Sequence, residues 1–230
     1  MQGETLKVST AKQDFLSLSN LILSTSWQPG SSAIYKIADS GGLTDIQPPD
    51  CNLTITICDN STIQGTIFNN SIGKITYELP NLGSLATGFY LQGDSQTVTN
   101  QTGSSIGQIC VAQGDNGPEL QLHYRPEVTC STGGLENGKL INNIRIYIIN
   151  LNCSDTISVR GELPLKISCV DTQLLTQTFE TPCQSENIAI NSQLDGAAGT
   201  VWIPLSSTSS GSIVNVETVI SDVTIERSSA

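Results

Sequence analysis

The stretch Cys51-Asn-Leu-Thr-Ile-Thr-Ile-Cys58 alternates: Leu53, Ile55 and Ile57 fall on one side, Asn52, Thr54 and Thr56 on the other. A period of two marks an extended strand with one buried face, because successive side chains of a strand point to opposite sides of the sheet. The pattern returns in residues 75–79 (ITYEL), 120–124 (LQLHY) and 163–167 (LPLKI). Residues 143–151 (NIRIYIINL) are apolar on nearly both faces and read as a central strand covered on each side. Residues 213–226, rich in Val and Ile, supply a last strand.

Turn residues separate these runs: Gly41-Gly42, Asn81-Leu82-Gly83, Asn116-Gly117-Pro118, Gly133-Gly134, Asn137-Gly138 and Asp195-Gly196. Such spacing belongs to a sandwich or barrel. Two longer polar stretches, 92–107 and 206–212, read as loops. The first is also the candidate boundary between two sheet units within a β-rich head spanning 31–230.

Ahead of the strands the period changes. Val8, Ala11, Phe15, Leu18 and Ile22 recur at steps of three and four, without an intervening Gly or Pro, and mark one stripe of an amphipathic helix over 4–25. Leu21 widens the stripe, while Lys7, Lys12, Gln13 and Asp14 lie off it. Pro29 disfavours helix at Gln28 and Gly30 permits a turn, so residues 1–30 form a helix-and-turn unit. The fold class is therefore mainly β: an N-terminal amphipathic α-helix followed by an antiparallel sandwich or barrel-like head.

Charged residues are only 13% of the chain and the formal net charge is −11, which gives no basic footprint for nucleic acid. The surface is instead supplied by Ser, Thr, Asn and Gln. No run reaches the ~18 apolar residues of a membrane span. The seven cysteines include no Cys-x-x-Cys pair and only one histidine is present, so zinc spacing is absent and disulfides in an oxidising compartment are expected. Cys130 with Cys153, bracketing a hairpin over 127–152, and Cys169 with Cys183, flanking a hairpin around Phe179, are the candidate pairs. An odd count leaves at least one thiol unpaired. Five Asn-x-Ser/Thr sequons, at Asn52, Asn60, Asn69, Asn100 and Asn152, agree with export. An exported chain needs a leader or anchor, and since Gln2-Gly3-Glu4 opens a polar segment, that element is expected upstream of this sequence.

Catalysis by a serine or cysteine needs a base beside it, and His123 is the only imidazole. It alternates with Leu122 and Tyr124, which directs it to solvent. Arg125-Pro126 reads as an edge or turn position. Asp115-Asn116-Gly117 and Asp195-Gly196 contain potential calcium ligands but read first as turns. No nucleophile elbow, phosphate loop or dinucleotide fingerprint is present, so no enzyme activity, cofactor or metal is expected.

Residues 14–30 (DFLSLSNLILSTSWQPG), Ala33-Ile34-Tyr35, CNLTITI, IGKITYELP, HYRPEVT and IRIYIINLN together give a chain that resembles the soluble ectodomain of archaeal type IV pilin-like surface proteins. The resemblance implies an extracellular, non-enzymatic structural or adhesion protein. Its partners would be other surface or filament subunits, including its own copies, and membrane attachment would come only through an N-terminal anchor absent from this chain. The stripe Val8, Ala11, Phe15, Leu18 and Ile22 has two compatible readings, a helix packing on its own domain or the lower part of a longer anchor helix, and under the resemblance it would be the face used in assembly. Two other readings fit the composition: a free-standing lectin-like or solute-capturing module, and a viral capsid or spike β-sandwich.

Overall fold

A computed structural model describes residues 2–59, 62–79, 86–181 and 186–228. The chain begins with α1 (Gln2–Ser26), then β1 (Ser32–Ile37), β2 (Leu43–Ile46), β3 (Cys51–Asp59), β4 (Thr62–Ile72) and β5 (Ile75–Glu78). Next come β6 (Phe89–Gln92), β7 (Thr99–Asn100), β8 (Gly107–Gly114), β9 (Gly117–Tyr124) and β10 (Glu127–Glu136). The last part holds β11 (Lys139–Asn152), β12 (Ile157–Arg160), β13 (Leu163–Thr181), β14 (Asn187–Leu194), β15 (Ala197–Pro204) and β16 (Ser212–Arg227). As the periodicity predicts, the protein is mainly β, with one N-terminal helix and several antiparallel sheets.

The strands form three sheets, ordered β1-β13-β16-β11-β10-β7, β12-β2-β5-β9-β8-β6 and β15-β14-β3-β4. Neighbours are antiparallel except at two places in the first sheet: β7 beside β10, and the central pair β11 and β16, parallel from Leu140↔Ser212 to Asn152↔Thr224. The first sheet is shared between two hydrophobic cores. At one end Ile149, Leu151, Val223, Ile225, Leu163, Leu165 and Ile167 join α1 and the second sheet. At the other, Ile144, Ile146, Ile148, Val214, Val216 and Ile220 join the third sheet. Ile148 and Ile149 are consecutive and belong to different cores, so the cores lie on opposite faces of the sheet. This is why residues 143–151 are apolar on both sides.

All five stripe residues of α1 are at most 6% exposed. They pack on the protein's own first and second sheets, as the docked-helix reading of the stripe expects, and this burial leaves them no open face for neighbouring subunits. Phe15 meets Tyr77 edge-on at 6.0 Å between centroids, and the Ser19 carbonyl accepts from Tyr124 Oη at 2.9 Å. Burying each such side chain contributes about 1.5–3 kcal/mol. Beyond the helix, Gly30 takes φ +80° and donates its N–H to the Cys169 carbonyl, which steers the chain into β1 along β13.

Several local expectations are corrected. The hairpin of β10 and β11 turns at Asn137-Gly138, as expected, but its register sets Cys130 opposite Ile144. Cys153 lies about 30 Å farther along the strand, so the two cannot bond. Cys130 is exposed and unbonded, whereas Cys153 is buried with its thiol on the Asp155 carbonyl at 2.7 Å. Around Phe179 there is no hairpin. β13 runs on because no Gly or Pro interrupts 165–181 and β16 pairs with it from Leu165↔Arg227 to Thr181↔Ser212. Cys169 is a buried free thiol, and Cys183 lies outside the described residues. The 92–107 stretch joins β6 to β8, which pair with each other in the second sheet, and on the way it lends β7 to the edge of the first sheet beside β10, so this excursion ties two sheets together instead of dividing them.

Arg125 holds that excursion in place. Arg125-Pro126 links β9 to β10, a turn position as one of the two readings has it, but the Arg125 side chain is fully buried and not spent on guarding an edge. Nε donates to the Ser105 carbonyl at 3.1 Å and Nη1 to the Gln96 carbonyl at 2.8 Å, while the guanidinium forks onto both Asp94 oxygens. A planar five-donor group suits this arrangement, since it satisfies backbone acceptors and one carboxylate together.

Candidate functional site

Two surfaces gather polar side chains. The first is a cleft of about 250 Å³ where the second sheet meets the β14–β15 turn. β9 alternates as its sequence predicts, Leu122 and Tyr124 entering the first core and His123 pointing away. That opposite face is not open solvent, because the Asp195 turn leans over it. Asp195 sits at φ 46° before Gly196 at φ 84°. Its N–H reaches the Asn52 carbonyl at 3.1 Å, and its carboxylate receives the Asn52 N–H at 2.9 Å. Asp195-Gly196 is thus a turn anchored to β3. His123 is half-buried among Cys51, Lys74, Gln121 and Asp195, correcting the expectation that it faces solvent.

The cleft places a thiol, an imidazole, an ammonium and a carboxylate around one space. Burial pushes the Cys51 thiol up to about 12, with Asp195 adding to the effect and Lys74 opposing it. Burial also pulls His123 down to about 4, helped by the charges of Lys74 and Arg125 and opposed by Asp195. A nucleophilic Cys–His pair needs the reverse, a lowered thiol and an imidazole basic enough to take its proton. At neutral pH both groups here are uncharged. Gln108 also lines the cleft; its Nε2 donates to the Asp94 and Gln96 carbonyls, while its Oε1 has no partner among the described residues. Among the described residues no three His, Cys, Asp or Glu side chains come together as a metal site.

The second surface is the outer face of the third sheet, a shallow groove of about 610 Å³. The register arranges nine of its side chains in three cross-strand rows: Trp202–Ala189–Cys58, Thr200–Asn191–Thr56 and Ala198–Gln193–Thr54. Trp202 is 61% exposed and has small Ala189 beside it, which leaves its ring accessible. Thr200 Oγ1 donates to Asn191 Oδ1 at 2.8 Å, and Asn191 Nδ2 lies 3.1 Å from the Cys58 sulfur. The face carries hydroxyls, amides, the Cys58 thiol and one aromatic ring, and among the described residues lining the groove no charged side chain. Such a surface suits a flat, neutral, hydroxyl-rich ligand: the ring covers the ligand's C–H face, and amides and hydroxyls exchange hydrogen bonds.

The sequon residues mostly lie on the surface. Asn52, Asn69 and Asn152 are exposed, Asn100 is half-buried with its Oδ1 accepting from Thr102, and Asn60 lies outside the described residues. Asn52 and Asn69 occupy adjoining strands and exchange sequon hydroxyls. Ser71 Oγ donates to Asn52 Oδ1 at 3.2 Å, and Thr54 Oγ1 to Asn69 Oδ1 at 3.1 Å. The Trp202 platform was not singled out from sequence, although a signal existed. Thr200 and Trp202 alternate with Val201 and Ile203 after the Asp195-Gly196 turn, which is the pattern of a hairpin with one wet face. Comparison with protein-family models, curated proteins and solved structures finds no match for this chain.

Proposed function

We propose that this protein is a non-enzymatic structural and adhesion component of a cell surface, a β-rich head carried on its N-terminal helix in the manner of a pilin-like subunit. The observation that carries the reading is the uncharged Trp202 platform on the third sheet. It offers a contact surface for neutral, hydroxyl-rich partners such as saccharides. The cleft chemistry supports a non-catalytic role, since burial disarms both Cys51 and His123. Exposed Asn52, Asn69 and Asn152 support a glycan-bearing exterior.

The platform gives equal support to a free-standing lectin-like module. The two readings share the ligand class and differ in attachment, which immunolabelling of native cells separates: filament or envelope labelling supports the pilin-like reading, and release into the medium supports the free module. For the ligand, a glycan array followed by fluorescence titration compares the native protein with Trp202→Ala. Neutral saccharides should quench emission in the native protein only, with thermal stability within about 0.5 kcal/mol, as expected for an exposed side chain. Labelling confined to the cytoplasm, together with no saccharide binding, would sink the proposal.

A further inference from the structure

The outer edge of β13 changes character along its length. Residues 163–168 pair with β1, but from Val170 to Thr181 that edge has no strand beside it among the described residues. Val170, Leu174 and Leu175 are 65%, 60% and 44% exposed there. No charge, Gly or Pro occurs from Thr172 to Phe179. A long uncharged edge without such interruptions is a template for another strand.

The hydrogen-bonding parity follows from the ladder. Cys169 bonds outward, its N–H to the Ser31 carbonyl and its C=O to the Gly30 N–H. The register then shifts between Cys169 and Asp171, so beyond this bulge the outward backbone groups belong to the even residues Thr172, Leu174, Thr176 and Thr178. Thr172 confirms the parity: its N–H, lacking a strand partner, bonds the Asp171 carboxylate at 2.8 Å.

We infer that this edge pairs antiparallel with the same edge of a second copy of the chain, with a two-fold axis at Leu175. A two-fold contact requires each residue to suit its mirror position, and the sequence Thr-Gln-Leu-Leu-Thr-Gln-Thr over 172–178 is nearly palindromic about Leu175. Thr172 then faces Thr178 of the second copy, Gln173 faces Gln177, Leu174 faces Thr176, and Leu175 faces itself. Threonine and amide pairs of this kind are favourable cross-strand neighbours. The parity fits as well. Leu175 points its backbone inward to β16, while Leu174, Thr176, Thr172 and Thr178 supply about eight intermolecular hydrogen bonds. The flanking acids fall outside this set, and Glu180 is already neutralised by Lys139. The inferred contact uses a different surface from the saccharide platform and does not depend on it.

Sedimentation velocity over a concentration series tests the inference. The native protein should dimerise reversibly, and more tightly with added NaCl, which screens the −11 charges on each copy. Thr176→Pro removes an outward N–H without touching the β16 ladder, and Leu175→Lys sets two ammonium groups opposite each other. Each should weaken association by roughly tenfold or more, with an unchanged circular dichroism spectrum. Hydrogen exchange should show the Leu174, Thr176 and Thr178 amides gaining protection as concentration rises. A native protein that stays monomeric into the hundreds of micromolar range overturns the inference. So does a dimer that neither substitution weakens, since it would use another surface or partner strand.

Discussion

The two cores rest on opposite faces of one sheet and are closed in different ways. At the first, α1 and the second sheet cover the sheet face, and β1 covers the lower edge of β13. At the second, the third sheet covers the face with Val98 of the excursion, while among the described residues the upper edge of β13 has no strand beside it, and the third sheet's outer side displays Trp202. Exposed apolar side chains occur on both halves, Leu6, Trp27, Ile34 and Tyr90 on the first and Val170, Leu174, Leu175, Leu135 and Trp202 on the second, but only on the second do they accompany a long strand edge with no neighbour among the described residues. The difference teaches where contact surfaces arise. The N-terminal helix and the strand after it close one half of the molecule, and among the described residues no corresponding pair closes the other.

The comparison breaks most sharply at the helix. Phe15 is fully buried and touches Tyr77, so Phe15→Ala should cost about 3–5 kcal/mol, read by denaturant unfolding. Because β11, β13 and β16 run through both cores, one cooperative transition is expected. A biphasic curve, with the second core persisting, would show that the shared sheet does not couple the halves. Next in size is Arg125. Arg125→Met leaves Asp94 and the carbonyls of Gln96 and Ser105 without their donor and should cost about 2–3 kcal/mol, less than a fully buried pair because Asp94 is 41% exposed. Arg125→Lys should not restore stability, since a single ammonium cannot serve three separated acceptors.

The stripe of α1, the alternating strands and the Asn-Gly and Asp-Gly turns were legible because each is written in local spacing. What was not legible is which face of a strand meets which sheet. His123 alternates out of the first core as its neighbours predict, yet the face it reaches is covered by a turn more than seventy residues away. Arg125 misled for the same reason, since its acceptors come from the excursion between β6 and β8. Cys130 and Cys153 bracket the hairpin in sequence but do not meet across it. The register is set by the Asn137-Gly138 turn, and the long β11 overshoots. The platform needed three strands in register, two of them separated from β3 by more than a hundred residues.

The smallest expected effect is on pH dependence, and it probes the contact between the halves. His123 lies where the Asp195 turn of the third sheet meets the second sheet, facing Lys74, Arg125 and Asp195. Its folded value of about 4 is below the ordinary imidazole value near 6.5, because burial disfavours the cation and two neighbouring cations add to the effect. As pH falls from about 6.5 towards 4, the unfolded chain takes up the proton first, so stability declines across that window, by about 2 kcal/mol once solvent screening of the half-buried imidazole is counted. His123→Gln should flatten this part of the stability–pH curve and leave neutral stability nearly unchanged. Below it a second decline begins. Arg125 holds the Asp94 carboxyl at about 2, so stability present above about pH 4 is lost as pH falls towards 2, by under about 1 kcal/mol once solvent screening is counted. If His123→Gln leaves the upper decline intact, the imidazole is solvated, and the Asp195 turn does not close over the second sheet in solution.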